Sequence, residues 1–349
     1  MKSYTRKILY LQKLRAVSSF AIIVLHTFTM YNIVYKDTLS ATENYVTKLI
    51  PWLMLWAVPC FLMVSGVLLL DQNREMPIKK IFKKYILRML IVLILMITVF
   101  YIVDKLTNHD PFEWSDIPEI GKKIVEDGSW AHLWYIYLLI GIYLLLPLYR
   151  VIAKHMDATT MRYICLVVVI FVSVIPFIEI VTDLSIGFTI GITTIFPVYL
   201  FLGYMIHNKI LNTSLRMCIL LILAGALLIV LLSVINFGEK QEQIEKLLGN
   251  TAFLPTLILS VGLFGLFYNT DRTYDEGSKA CSVWGFFDKY SFGIYLIHLI
   301  FLRTLIKVID FNPFEYGIWM LPIIAVGVYI CSLITMIIIK QIPGLKKLF

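Results

Sequence analysis

The sequence predicts an all-α integral membrane protein, a bundle of about ten transmembrane helices with both termini cytoplasmic. Three observations predict it. The 349 residues are 59% hydrophobic and only 15% charged, well below the quarter or so of charged residues in soluble domains, and the mean hydropathy is +0.82. Apolar stretches of about 20 residues, enough to cross a bilayer, recur along the whole chain. The loops between them alternate in sign: one set carries 22 Lys/Arg and 7 Asp/Glu, the other 9 and 16, which together make up the chain's 31 and 23. Basic loops stay in the cytoplasm, and an even number of spans returns both ends to that side. The net charge of +8 is therefore topogenic, and a nucleic-acid partner is excluded.

In order, the spans are expected at 14–34, 51–70, 85–106, 132–149, 163–181, 189–206, 216–235, 251–268, 291–309 and 318–339. The basic start, Met1 to Lys13, precedes a long apolar run without a small-residue cleavage site, so it reads as a retained first span. No internal repeat or appended soluble domain is visible, and residues 1–349 read as one membrane domain.

After the second span, Asp71 to Arg88 is densely basic. Pro77 suits the first turn of a short helix presenting Lys79, Lys80, Lys83 and Lys84, with Arg88 one turn on. This is either a topogenic cluster on anionic lipid or a phosphate-binding patch. The largest outer loop, 107–131, is acidic (Asp110, Glu113, Asp116, Glu119, Glu126, Asp127) and leads through Gly128 and Trp130 into His132, Trp134, Tyr135 and Tyr137. An aromatic belt explains the rings alone; aromatics beside a histidine also make a sugar-stacking surface. Pro59, Pro147, Pro176, Pro197, Pro255 and Pro322 are expected to free carbonyls and kink their helices. Ser65 and Gly66 suit close helix packing. Tyr290, Ser291, Tyr295 and His298 share a polar seam on the ninth span. The five cysteines are scattered, read as packing residues, and show no metal-ligand spacing; no metal site is expected.

The first span carries the sharpest feature. Eleven residues separate Arg15 from His26; at about 100° per residue they share one face, about 16 Å apart along the axis. An ionisable pair inside hydrocarbon points to a polar interior site. A snorkelling arginine and a core histidine are the competing reading.

These features recur as an ordered set: R-x10-H from Arg15 to His26, Pro59-Cys-Phe-Leu-Met-Val-Ser-Gly66, His132-Leu-Trp-Tyr135, Phe196-Pro-Val-Tyr-Leu-Phe-Leu-Gly-Tyr204 and Tyr290-Ser-Phe-Gly-Ile-Tyr-Leu-Ile-His298. The set resembles the membrane acyltransferase-3 family, in its stand-alone O-acetyltransferase branch, over nearly the whole chain. The resemblance implies transfer of an acyl group, usually acetyl, from cytoplasmic acetyl-CoA to a sugar hydroxyl at the outer face. It implies that His26 is essential and that Arg15 belongs to the same motif. Where many members carry an arginine pair after the second helix, this chain has Lys83-Lys84-Tyr85-Ile-Leu-Arg88.

The expected chemistry follows. The donor's phosphates rest on Arg15, Lys79, Lys80, Lys83, Lys84 and Arg88, while its thin pantetheine arm enters the bundle. Neutral His26 then acts as general base on the acceptor hydroxyl, with an acyl-histidine intermediate as the other route. The acceptor, an extracytoplasmic glycan or a polyprenyl-linked sugar, is expected at His132, Trp134, Tyr135, Tyr295 and His298. Acetyl-CoA is a substrate here, and no permanently bound cofactor is expected; membrane lipid is the remaining partner. The alternative function is a transporter or flippase for a lipid-linked sugar or small metabolite, against which stand the lack of an inverted repeat and of carboxylates in the span centres.

Overall fold

The computed structural model describes residues 8–126, 130–192, 194–271 and 279–349. Residues 1–7 of the basic start, Asp127, Gly128 and Ser129 of the acidic loop, and the side chain of Cys281 lie outside the described residues. Among those described there are helices and no strand.

In chain order the helices are α1 (Leu9–Tyr35), α2 (Ala41–Met54), α3 (Ala57–Leu69), α4 (Ile78–Thr107), α5 (Asp116–Val125), α6 (Trp134–His155), α7 (Ala158–Thr182), α8 (Phe196–His207), α9 (Leu215–Val234), α10 (Gln241–Leu248), α11 (Leu254–Asp271), α12 (Lys279–Lys307) and α13 (Met320–Ile339). Eight segments are long and apolar enough to cross a membrane, taking α2 and α3 as one; α8 and α11 are shorter apolar helices. The chain is a multi-pass, all-α membrane protein.

Four local differences from the expected pattern have physical causes. The second span starts ten residues early, at Ala41, because Ser40 and Glu43 close a capping box: the Ser40 hydroxyl accepts from the Glu43 N–H, and the Glu43 carboxylate accepts from the Ser40 N–H at 2.9 Å. The break between α2 and α3 at Leu55 and Trp56 lies one turn before Pro59, whose ring displaces the carbonyl four residues back. Pro77 does not open a separate short helix; it caps α4, whose Ile81–Ile86 turn is π-helical. Inside the acidic loop, α5 forms with Asp116 and Glu119 in its first turn and Lys122 and Lys123 in its last, the arrangement that complements the helix dipole. Nor do all the prolines kink their helices. Pro197 occupies the second position of α8, and Pro255 and Pro322 fall in the first turns of α11 and α13, where a missing N–H leaves nothing unpaired. Pro176 lies inside α7, just past its π-helical Ile170–Val174 turn. Pro147 lies inside α6.

The chain divides into two compact units, one formed by Met1–Asp71 and Ala153–Ser291, the other by Gln72–Ile152 and Phe292–Phe349. In the first, α1 packs on α2, α3 and α11, α3 on α8, and α9 on α11. The α3–α8 crossing is as close as backbones allow. A Cβ on Gly66 would overlap the Leu200 backbone, and one on Gly203 would overlap Met63. Small residues bring membrane helices together in this way because lipid supplies no hydrophobic drive between them. In the second unit α4 packs against α5, and the turn at Leu345–Leu348 returns onto α4.

Candidate active site

In the first unit, Arg15 and His26 lie on α1 as the spacing requires. The strip between them, Ser18, Ser19 and Ile22, is buried, so this face of α1 meets protein and not lipid. His26 is half-buried. Arg15 is held by a carboxylate: its Nε lies 2.6 Å from Asp288 Oδ1 and its Nη2 donates to Asp288 Oδ2 at 2.7 Å. Two parallel contacts fix the plane of a guanidinium as one cannot. Asp288 stands on α12, which begins twelve residues before the expected ninth span and so carries this carboxylate within its helix.

A cavity of about 490 Å³ lies elsewhere in the same unit, lined by Phe171, Pro176, Glu179, Phe188, Thr194 and Asn250 among others. It includes none of the expected site residues.

In the second unit, the remaining histidines and aromatics converge. His132, in the short turn before α6, is buried, and its Nε2 lies 3.1 Å from the Leu296 carbonyl. Tyr295 donates to the His132 carbonyl, and His298 Nδ1 lies 2.6 Å from the Tyr295 carbonyl. The His132 and His298 rings are 5.5 Å apart, and Tyr135 and Tyr295 are 5.7 Å apart, edge to face. Trp134 stands against Tyr135 at the rim. Four of the five expected acceptor residues are thus packed in the interior, and Trp134 is half-buried. Beside them, Asp104 forms an ion pair with Arg303 and accepts from Trp130 Nε1 at 3.0 Å. Arg303 lies 4.7 Å over the Trp130 ring, whose other neighbour, Phe100, is stacked at 4.3 Å.

The basic segment is divided. Arg88 donates to the Leu348 carbonyl at 3.0 Å, and Lys80 to that of Glu75 at 2.6 Å. Lys79, Lys83 and Lys84 are exposed. Among the described residues no cluster of His, Cys, Asp and Glu could hold a metal ion. Cys60, Cys165 and Cys218 are buried, and Cys331 is exposed.

Residues 8–340 match the family described as "Acyltransferase domain". The chain belongs to the acyltransferase-3 family. No curated protein matches it, and no solved structure does. For this membrane acyltransferase, the residues that sequence reasoning overlooked are the partners of its arginines: Asp288 for Arg15, and Asp104 for Arg303. Asp288 had a signal, since it lies three residues before Ser291 and so on the same helical face. The Asp104–Arg303 pair joins positions 199 apart in sequence and had none.

Proposed function

We propose that this acyltransferase moves an acetyl group from cytoplasmic acetyl-CoA to a sugar hydroxyl on the extracytoplasmic side of the cell membrane, with both chain termini in the cytoplasm and His26 as general base. The observation that carries the reading is the inward face of α1, where Arg15 is fixed by Asp288 and His26 stands about 16 Å further along the axis, a separation of the order of a pantetheine arm's reach.

In the direct route the acceptor oxygen attacks the thioester carbonyl while His26 takes the hydroxyl proton. The tetrahedral intermediate collapses, the C–S bond breaks, and the departing CoA thiolate recovers that proton from the imidazolium. The products are an acetyl ester and CoA thiol, with neutral His26 restored. Such base assistance is typically worth about 10²–10⁴-fold in rate. Arg15, Lys79, Lys80, Lys83, Lys84 and Arg88 supply positive charge for the donor's phosphates. The acceptor is a cell-envelope glycan or a polyprenyl-linked sugar, for which His132, Trp134, Tyr135, Tyr295 and His298 supply hydrogen-bonding and stacking groups.

The test uses the purified protein in lipid nanodiscs, measuring acetyl-CoA binding and thioester turnover. His26→Ala should bind the donor as the wild type does and lose turnover by at least about 10²-fold. Retained turnover removes His26 from the chemistry. Wild-type protein that neither binds nor cleaves acetyl-CoA removes the acetyl-donor reading altogether.

A further inference from the structure

The cavity in the first unit is framed by anchored backbone. α7 ends at Thr182, where Asp183 turns the chain through the left-handed region at φ 58°. Glu179, in the last turn of that helix, accepts from the Ile186 N–H through Oε1 at 2.8 Å, which ties the following stretch back to α7. Another wall comes from the residues between α10 and α11. Ser173 of α7 donates to the Ala252 carbonyl, Tyr199 of α8 donates to the Thr251 carbonyl, and the Phe177 and Phe253 rings lie 5.7 Å apart. The enclosed volume of about 490 Å³ falls in the range of small-ligand sites.

Apart from Thr189, Thr194 and Asn250, the lining is apolar except for Glu179, and no basic residue belongs to it. The Glu179 side chain is half-buried. Among the described residues, its second carboxylate oxygen has neither a hydrogen-bond nor an ion-pair partner. Lys240, which reaches the end of α7, is taken up by Asp183 and by the Val181 carbonyl at 3.0 Å. A carboxylate held partly out of water among apolar groups is costly unless a cation meets it. Phe171, Phe188 and Phe196 also line the space, and aromatic faces attract an ammonium group. The same carboxylate repels a phosphate. Phe188 and Ile192 both line the cavity and are exposed, so its apolar wall runs on to the surface of a membrane-embedded unit, where lipid is the ligand at hand.

We propose that this cavity is a lipid site, in which Glu179 takes the primary ammonium of an amine-bearing phospholipid headgroup and the apolar wall takes the adjoining part of the same molecule. The phosphate of that lipid stays at the rim, away from the carboxylate. The site shares no residue with the donor and acceptor groups assigned above, and it stands whichever acyl donor the enzyme uses.

The experiment titrates two short-chain lipids with the same acyl chains, a phosphatidylethanolamine and a phosphatidylglycerol, against the full-length protein in detergent, with binding read by native mass spectrometry. The ethanolamine lipid should fill one saturable site at least about tenfold more tightly than the glycerol lipid, which has the same phosphate and no ammonium. Glu179→Gln keeps an oxygen for the Ile186 N–H and loses the charge. It should weaken the ethanolamine lipid by about 10- to 100-fold, while glycerol-lipid binding and acetyl-CoA binding stay as in the wild type. Glu179→Asp, which keeps the charge on a shorter side chain, should fall between, and it is the variant to read if the glutamine variant does not fold. Equal affinity of the wild type for the two lipids overturns the site, and so does an ethanolamine-lipid affinity that Glu179→Gln leaves unaltered. Free ethanolamine competing as well as the lipid would overturn the lipid as its source. Displacement of the lipid by N-acetylglucosamine would overturn it in favour of a sugar.

Discussion

Two arginine–carboxylate pairs described above, one in each unit of the molecule, are built differently. In the first unit Arg15 meets Asp288 by two contacts, the arginine side chain one-third exposed and the aspartate 12% exposed. In the second, Arg303 and Asp104 share Trp130: the indole N–H binds the carboxylate, the indole face carries the guanidinium, and Phe100 closes the other side. The first pair leaves its cation reachable and sits on the motif that runs to His26. In the second the guanidinium is the more covered partner, the arginine side chain 18% exposed and the aspartate 31%. An ion pair with reachable charge is suited to a ligand, and one clamped between rings is suited to holding helices together.

The comparison breaks if the two arginines behave alike on removal. Arg15→Ala should lower kcat/KM by on the order of 10²-fold, about 2.7 kcal/mol of transition-state stabilisation, while shifting the melting temperature little, because an ion pair one-third exposed is screened by solvent. Arg303→Ala should do the reverse. It strips the cover from Trp130 and leaves Asp104 with its indole contact alone, so a loss of about 2 kcal/mol in stability is expected, with donor KM unchanged. Equal melting-temperature losses for the two variants would erase the distinction.

A gentler change sharpens it. Asp288→Asn keeps the shape of the Arg15 contact and removes its charge. If Asp288 positions Arg15 for the donor, KM for acetyl-CoA should rise about tenfold with kcat little changed, roughly 1.4 kcal/mol, and Asp288→Glu should recover part of it. A lower KM would mean that the carboxylate competes with the donor's phosphates for Arg15.

These pairs also mark what could be read from the sequence. The spans were legible because hydrophobic length is a local property, and the orientation of Arg15 and His26 followed from helical periodicity alone. The α3–α8 crossing was half legible: Ser65 and Gly66 announced a close approach, but only the fold shows that Gly203 answers it from α8. Capping was legible and passed over, since Ser40 and Glu43 mark the start of α2 at the spacing a capping box requires. Partnerships between distant helices were not legible. Asp104 and Arg303 come together through packing choices that no window of sequence contains.

The smallest expected effect concerns the acidic loop of the second unit. Asp116 accepts from the Tyr101 hydroxyl at 2.6 Å and from the Glu113 N–H at 2.7 Å, and it lies 2.9 Å from Lys105 Nζ. Chiefly through the tyrosine hydroxyl, and then the backbone N–H, its carboxyl is held at about 2, down from the ordinary 3.8. A carboxylate bound more tightly in the folded chain than in the unfolded one stabilises the fold fully above its ordinary value, and that contribution is lost as the pH falls through 3.8 towards 2. The resistance of the wild-type protein to thermal unfolding should therefore fall between pH 4 and pH 2, and Asp116→Asn should flatten that part of the profile while leaving turnover near neutral pH unchanged. An unaltered acid limb in the variant would show that the loop's anchoring is independent of this charge. In that case the Tyr101 and Glu113 contacts hold α5 in place by geometry alone, as Trp130 does for the pair beside it.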